Sequence, residues 1–230
     1  LNRVYDACAK LGPEPLLYPL DLEGASPDDY AEMADRLHRE LGRLDGVLHC
    51  AAEFRGLTPL EHTDPAAFAR AVHVNLTAQW WLSQACLPLL KQAQDAALVF
   101  ALDDVARVGK AYWGGYGVAQ HGLSALVGML HAELASSPVR VSALQPGPMR
   151  TPLRAKAYVE DEDKQARDPA EYASACVTLL SYAGAEHRDT WAGDLVDAAA
   201  EQAQVLLVAR SAHVEDHHVV GQASGGELGV

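Results

Sequence analysis

The chain is short of cysteine, of basic residues and of long apolar runs, and each shortage removes a class of protein. Its 230 residues carry four cysteines, Cys8, Cys50, Cys86 and Cys176, far apart, with no CxxC pair and no Cys/His ligand spacing. That excludes a disulfide framework and a zinc module and leaves reduced core thiols, as expected of a cytoplasmic protein. Eighteen Lys and Arg stand against 31 Asp and Glu, for a formal net charge of −13 and a pI near 5.1. Nucleic acid and anionic membrane both require clustered cations, so neither is an expected partner. No apolar run approaches the ~20 residues of a membrane helix, and nothing at Leu1 reads as a signal peptide. The chain also lacks an initiator Met and opens directly in a helical pattern, which suggests that sequence precedes it.

What is present is enough apolar sequence, 49% hydrophobic against 21% charged, for one α/β domain with a sizeable core. Leu1, Val4, Tyr5, Cys8 and Leu11 share one face of an opening helix that Gly12-Pro13 ends. Pro15–Leu22 reads as an edge strand ending at Asp21. Ser26 caps a helix with Asp28 and Asp29 in its first turn, Tyr30, Met33, Leu37 and Leu41 inward, and Gly42 as its stop. Gly46–Ala52 reads as a buried strand. Thr63-Asp64-Pro65 then opens a long helix burying Phe68, Val72, Leu76, Trp80 and Leu87. Ala96–Leu102 is a strand, followed by a helix holding Tyr116 and by a strand at Arg140–Leu144. A helix from Asp168-Pro169 turns Tyr172, Cys176, Leu179 and Leu180 inward, and Trp191–Asp197 looks like a last strand. This alternation predicts an α/β fold, a Rossmann-like doubly wound parallel sheet flanked by helices, over residues 1–197. Residues 198–230, with a strand-like Val205–Ala209 and much His, Gly and acid, read as an irregular tail.

The chemistry is expected in the stretch AALVFALDDVARVGKAYWGGYGVAQHGLSALVGMLHAEL, Ala96 to Leu134, where a buried strand runs through a polar loop into a helix. Open α/β sheets bind ligands at such strand ends. The stretch resembles the short-chain dehydrogenase/reductase family, in which a Ser follows the strand, a Tyr comes thirteen residues later and a Lys four beyond that. Tyr116 matches; Asp103 stands in the Ser position and Gln120 in the Lys position. The resemblance extends to Asn75, in Val74-Asn75-Leu76, as the Asn of a proton relay, and to Asp21-Leu22 as the adenine contact. It also covers Ala51, the one match to Asn-Asn-Ala-Gly within Leu48-His49-Cys50-Ala51-Ala52, and Pro146-Gly147 with Thr151 bordering the nicotinamide. It implies NAD or NADP, a small carbonyl or alcohol substrate, Tyr116 as proton donor or acceptor, and a homo-oligomer formed through helices spanning 68–90 and 115–134.

Three departures bear on activity. The family's opening strand–turn–helix, with TGxxxGxG, does not precede the Leu1 helix, which removes the backbone N–H cradle for the pyrophosphate. Gln120 has no charge with which to lower the Tyr116 pKa, and His121 lies about 100° around the helix. Asp103, a carboxylate in place of a neutral hydroxyl, raises that pKa and repels a developing alkoxide. The expectation is therefore an inactive or weak oxidoreductase, with a non-catalytic scaffold or interaction protein as the alternative. The sheet position of the family's first strand is open to Val205–Ala209, to a partner chain or to absent sequence. Val219–Gly229 loosely echoes a Gly-x-x-x-Gly turn. Each site residue also has a plainer reading. Tyr116 packs with Tyr112 and Trp113, Asn75 satisfies helix backbone near a kink, and Asp103-Asp104 are solvated turn acids rather than metal ligands. His213, His217 and His218 bind metal only adventitiously.

Overall fold

Among the described residues three strands pair in parallel in the order β1-β2-β3: β1 (Gly46–His49), β2 (Ala96–Ala101) and β3 (Val139–Leu144). The computed structural model describes residues 2–158 and 166–187. The expected strand Trp191–Asp197, Val205–Ala209, the Val219–Gly229 motif and His213, His217 and His218 lie outside them. Central β2 reads AALVFA, apolar throughout, because both of its faces are covered. Leu98 and Phe100 point to one face and Ala97 and Val99 to the other.

The first face packs on α2 (Pro27–Leu41), α4 (Ala78–Leu90) and α6 (Gly114–Glu133), through Met33, Cys86, Leu90, Leu123, Val127 and Leu130. The second packs on α8 (Ala173–Leu180) through Ala175 and Leu179. The other α-helices among the described residues are α1 (Asn2–Ala9), α3 (Pro65–Val72), α5 (Val105–Val108) and α7 (Pro152–Ala155). The layout is the expected Rossmann-like one, and among the described residues no helix is long and apolar enough to cross a membrane.

Arg140 closes the second layer. Its side chain is 1% exposed and donates from Nε and Nη2 to Asp95 at 2.7 and 3.0 Å. Nη1 and Nη2 also donate to the carbonyls of Leu179 and Ser181 at 3.0 and 2.8 Å, at the C-terminal end of α8 where a cation is favoured. Gly184 passes so close that a Cβ there would sit 2.6 Å from Arg140 Nη1.

Four expectations are corrected. Pro15–Leu22 is not a strand: Pro15 and Pro19 have no N–H to pair, no described strand lies beside them, and only Tyr18 and Leu20 pack against the core. Of the expected inner face of the opening helix, only Cys8 is buried and Tyr5 half-buried, while Val4 and, in the turn beyond α1, Leu11 are 60% and 71% exposed. β1 stops at His49, and the chain turns away at Cys50. The long helix is broken by a π-helical turn, His73–Thr77, whose extra residue shifts the phase of the buried stripe. α4 therefore buries Ala78, Gln79, Ser83 and Cys86, and Trp80 is left 43% exposed.

Candidate active site

At the carboxyl ends of the strands lies a cleft of about 320 Å³. It forms because the chain leaves β1 at Cys50 and β2 at Leu102, and because β3 runs into Pro146-Gly147, where Gly147 has φ +78° and open space around it. Three loops part at one point, as at other open parallel sheets.

The floor next to β1 is sewn down by polar residues four apart on the π turn and α4. Asn75 Nδ2 donates to the carbonyls of Glu53 and Ala71, both at 2.8 Å, and Oδ1 accepts from Glu53 N–H at 2.9 Å. Gln79 Nε2 donates to the carbonyls of Ala51 and Asn75 at 3.3 Å. Ser83 donates to the Gln79 carbonyl at 2.8 Å and meets His49 Nε2 at 2.9 Å. With the Ser83 proton so placed, His49 Nε2–H is the donor of that pair. Burial pushes the His49 pKa down to about 3, so the ring stays neutral, stacked on Phe100. Asn75 lies next to these cleft residues with both amide protons engaged by backbone carbonyls.

Tyr116 is brought in by its neighbours in GGYG. A Cβ at Gly115 would lie 2.6 Å from the Phe68 carbonyl oxygen, and one at Gly117 2.2 Å from that of Val108. Only glycines let the start of α6 press against α3 and α5. The phenol donates to Asp103 Oδ2 at 3.0 Å. Asp103 Oδ1 accepts from Asp104 N–H at 2.7 Å and pairs with Arg107 Nη2, one turn on. Asp103 N–H donates to Gln120 Oε1 at 2.9 Å. Gln120 thus holds the Asp103 backbone with its oxygen and leaves its N–H₂ toward the cleft. His121 points away, with Nδ1 on the Gly117 carbonyl at 2.8 Å and its ring against Gly109. Burial is the chief cause that pushes the Tyr116 pKa well above the ordinary phenol value; the Asp103 charge and hydrogen bond add to it, and Arg107 opposes it. Phe54 and Trp113 pack over the ring at 5.2 and 5.9 Å between centroids.

Of the residues singled out from the sequence, Ala51, Asp103, Tyr116, Gln120, Pro146, Gly147 and Thr151 line the cleft. Thr151 also caps α7 by accepting from Arg154 N–H at 3.1 Å. Asp21 and Leu22 do not reach the cleft. Asp21 caps its own turn instead, accepting from Glu23 N–H at 3.1 Å. The reading of Asp103 and Asp104 as solvated turn acids is overturned for Asp103, whose side chain is 13% exposed and accepts from Arg107, Asp104 N–H and Tyr116. Sequence reasoning missed Arg107, although Asp103-x-x-x-Arg107 is the spacing of a helical ion pair. Trp113 is the expected neighbour of Tyr116, whereas Gln79, Tyr158 and Arg154 carried no such signal.

A family model described as Enoyl-(Acyl carrier protein) reductase matches residues 2–185. The oxidoreductase YciK of Escherichia coli K12, itself uncharacterized, is 31% identical over 160 residues, which are 70% of this chain and 63% of that protein. The chain therefore spans less than two thirds of that relative's length. Among solved structures, a short chain dehydrogenase from Pseudomonas syringae is 36% identical with a TM-score of 0.73, over 79% of this chain and 74% of that one. Another, from Escherichia coli CFT073 and complexed with NADPH, is 28% identical with a TM-score of 0.74, over 83% of this chain and 79% of its own.

Proposed function

Since the chain belongs to the short-chain dehydrogenase/reductase family, a family of oxidoreductases, we propose that it is a nicotinamide-linked oxidoreductase weakened in the reduction of carbonyls. The observation that carries this reading is the Tyr116 hydroxyl donating to Asp103 Oδ2 at 3.0 Å, with an uncharged Gln120 where the family places an ammonium.

The described residues fit the nicotinamide end of the cofactor. Gln120 has free amide donors for a ribose oxygen, and Pro146-Gly147 leaves an open wall. The nicotinamide, when bound, supplies hydride chemistry. This chain's residues govern the proton: Tyr116 must give up its bond to Asp103 before it can protonate a substrate oxygen, and its raised pKa makes the phenolate costly to form. A substrate oxygen gaining negative charge would face the Asp103 carboxylate, opposite in sign to what such sites supply. Arg107 offsets that charge in part.

The test pairs calorimetric titration with NADH and NADPH with turnover of simple ketones. Wild type should bind one cofactor yet reduce ketones about 100-fold more slowly than the double variant Asp103→Ser, Gln120→Lys, a span ordinary for acid–base machinery. Equal rates, or faster turnover by wild type, would refute the reading. A scaffold role finds its support elsewhere, in an exposed stripe of α6 formed by Val118, Ala125 and Met129.

A further inference from the structure

An ionised carboxylate accepts hydrogen bonds and cannot give one, and it offers about four lone-pair directions. At Asp103, Oδ1 is occupied by Arg107 Nη2 and by Asp104 N–H at 2.7 Å, while Oδ2 receives the Tyr116 hydroxyl at 3.0 Å. Oδ2 keeps one direction open, and the side chain forms part of the cleft wall. Arg107, at i+4 on α5, holds the group as an ion pair and fixes its orientation.

A ketone oxygen brought to that point is also an acceptor, so two acceptors would face each other with no proton between them. A hydroxyl at the same point donates to Oδ2 and leaves its own oxygen free to accept from the Gln120 amide on the neighbouring wall. Sites that hold a polar partner in a buried cleft discriminate strongly against an analogue lacking it, because their own groups are then left unpaired. The rest of the lining includes Met149, Leu153, Trp113 and Tyr158, with Arg154 stacked over the Tyr158 ring, and this largely apolar and aromatic surface suits the carbon frame that carries the hydroxyl.

We propose that Asp103 makes the cleft selective for secondary alcohols over the matching ketones, with Arg107 as the positioning residue that aims the carboxylate. The proposal rests on the cleft being the substrate site of the oxidoreductase reading and does not depend on turnover.

The experiment is titration of the full chain, without cofactor, with cyclohexanol against cyclohexanone and 1-phenylethanol against acetophenone, followed by amide NMR shifts. In at least one pair the alcohol should bind at least tenfold more tightly, on the order seen where a site loses its hydrogen-bonding partner. In Asp103→Ser, whose hydroxyl both donates and accepts, the preference should collapse to less than about threefold. Arg107→Met should lose the preference and Arg107→Lys should restore most of it, a rescue that a purely structural role would not show; thermal melts check that each variant is folded. Equal or tighter ketone binding in every pair, no binding by any alcohol, or a preference that survives in Asp103→Ser overturns the proposal. Rapid ketone reduction by wild type would overturn the proposed function alone, since these titrations contain no cofactor.

Discussion

His49 shows how a single residue ties stability to pH. Its pKa falls from 6.5 to about 3 on burial, so between these values the unfolded chain binds a proton that the folded chain refuses. Stability conferred by the neutral ring is complete above 6.5 and is lost as pH falls toward 3. Unfolding free energies from urea titrations between pH 7 and pH 4.5 should decline as pH falls through 6.5, approaching about 1.4 kcal/mol per pH unit toward the acid end. In His49→Gln, which keeps a donor for Ser83 but does not titrate, that slope should flatten. At this same scale the sequence was half legible. Tyr116 and Gln120 could be placed by the motif that the family resemblance supplies. The partner of Asp103 could not, because a carboxylate in a turn reads as solvated until the short helix behind it brings Arg107 back onto it. The His49–Ser83 pair joins residues 34 apart and leaves no local pattern.

Between elements, close approach decides more than propensity. Gly117→Ala would drive a Cβ into the Val108 carbonyl at 2.2 Å, separating α5 from α6 and Arg107 from Tyr116. The expected cost is about 1–3 kcal/mol in chemical denaturation. Gly128→Ala on the same helix meets no atom within 4 Å and should stabilise by about 0.5–1 kcal/mol. Arg140 joins β3, the turn before β2 and the end of α8, so Asp95→Ala leaves a guanidinium buried without its carboxylate. That change should cost about 3–5 kcal/mol, and adding Arg140→Leu should recover part of it. The helix α2 was readable because apolar period and cap agree there: Ser26 stands at its N-cap, and its N–H and hydroxyl both donate to Asp29 in the first turn at 2.7 Å. Pro15–Leu22 misled because apolar composition without a partner strand makes only a packed irregular segment. The π turn misled because one inserted residue changes which side of α4 faces inward, and a periodic reading assumes constant phase.

For the molecule as a whole, the family resemblance implies pairing of subunits through α4 and α6, and both helices carry exposed apolar residues. Trp80 is 43%, Val118 54% and Met129 55% exposed. Sedimentation equilibrium should find a homo-oligomer, and Met129→Glu, which buries a charge in that contact, should shift it toward monomer without altering the melting of the isolated fold. The parallel sheet and its two helical layers were readable from strand–helix alternation, since burial on both faces writes a continuous apolar run such as Ala96–Ala101. The cleft was readable only as a location, because its shape depends on where three loops part. One of those loops gives the molecule an unusual amide. Glu53 N–H belongs to no helix or strand, yet it is clamped by the Asn75 side chain at 2.9 Å, and Asn75 itself is wholly buried. Its exchange with deuterated solvent should therefore be as slow as that of a core strand, and the floor of the cleft opens only when the π turn does.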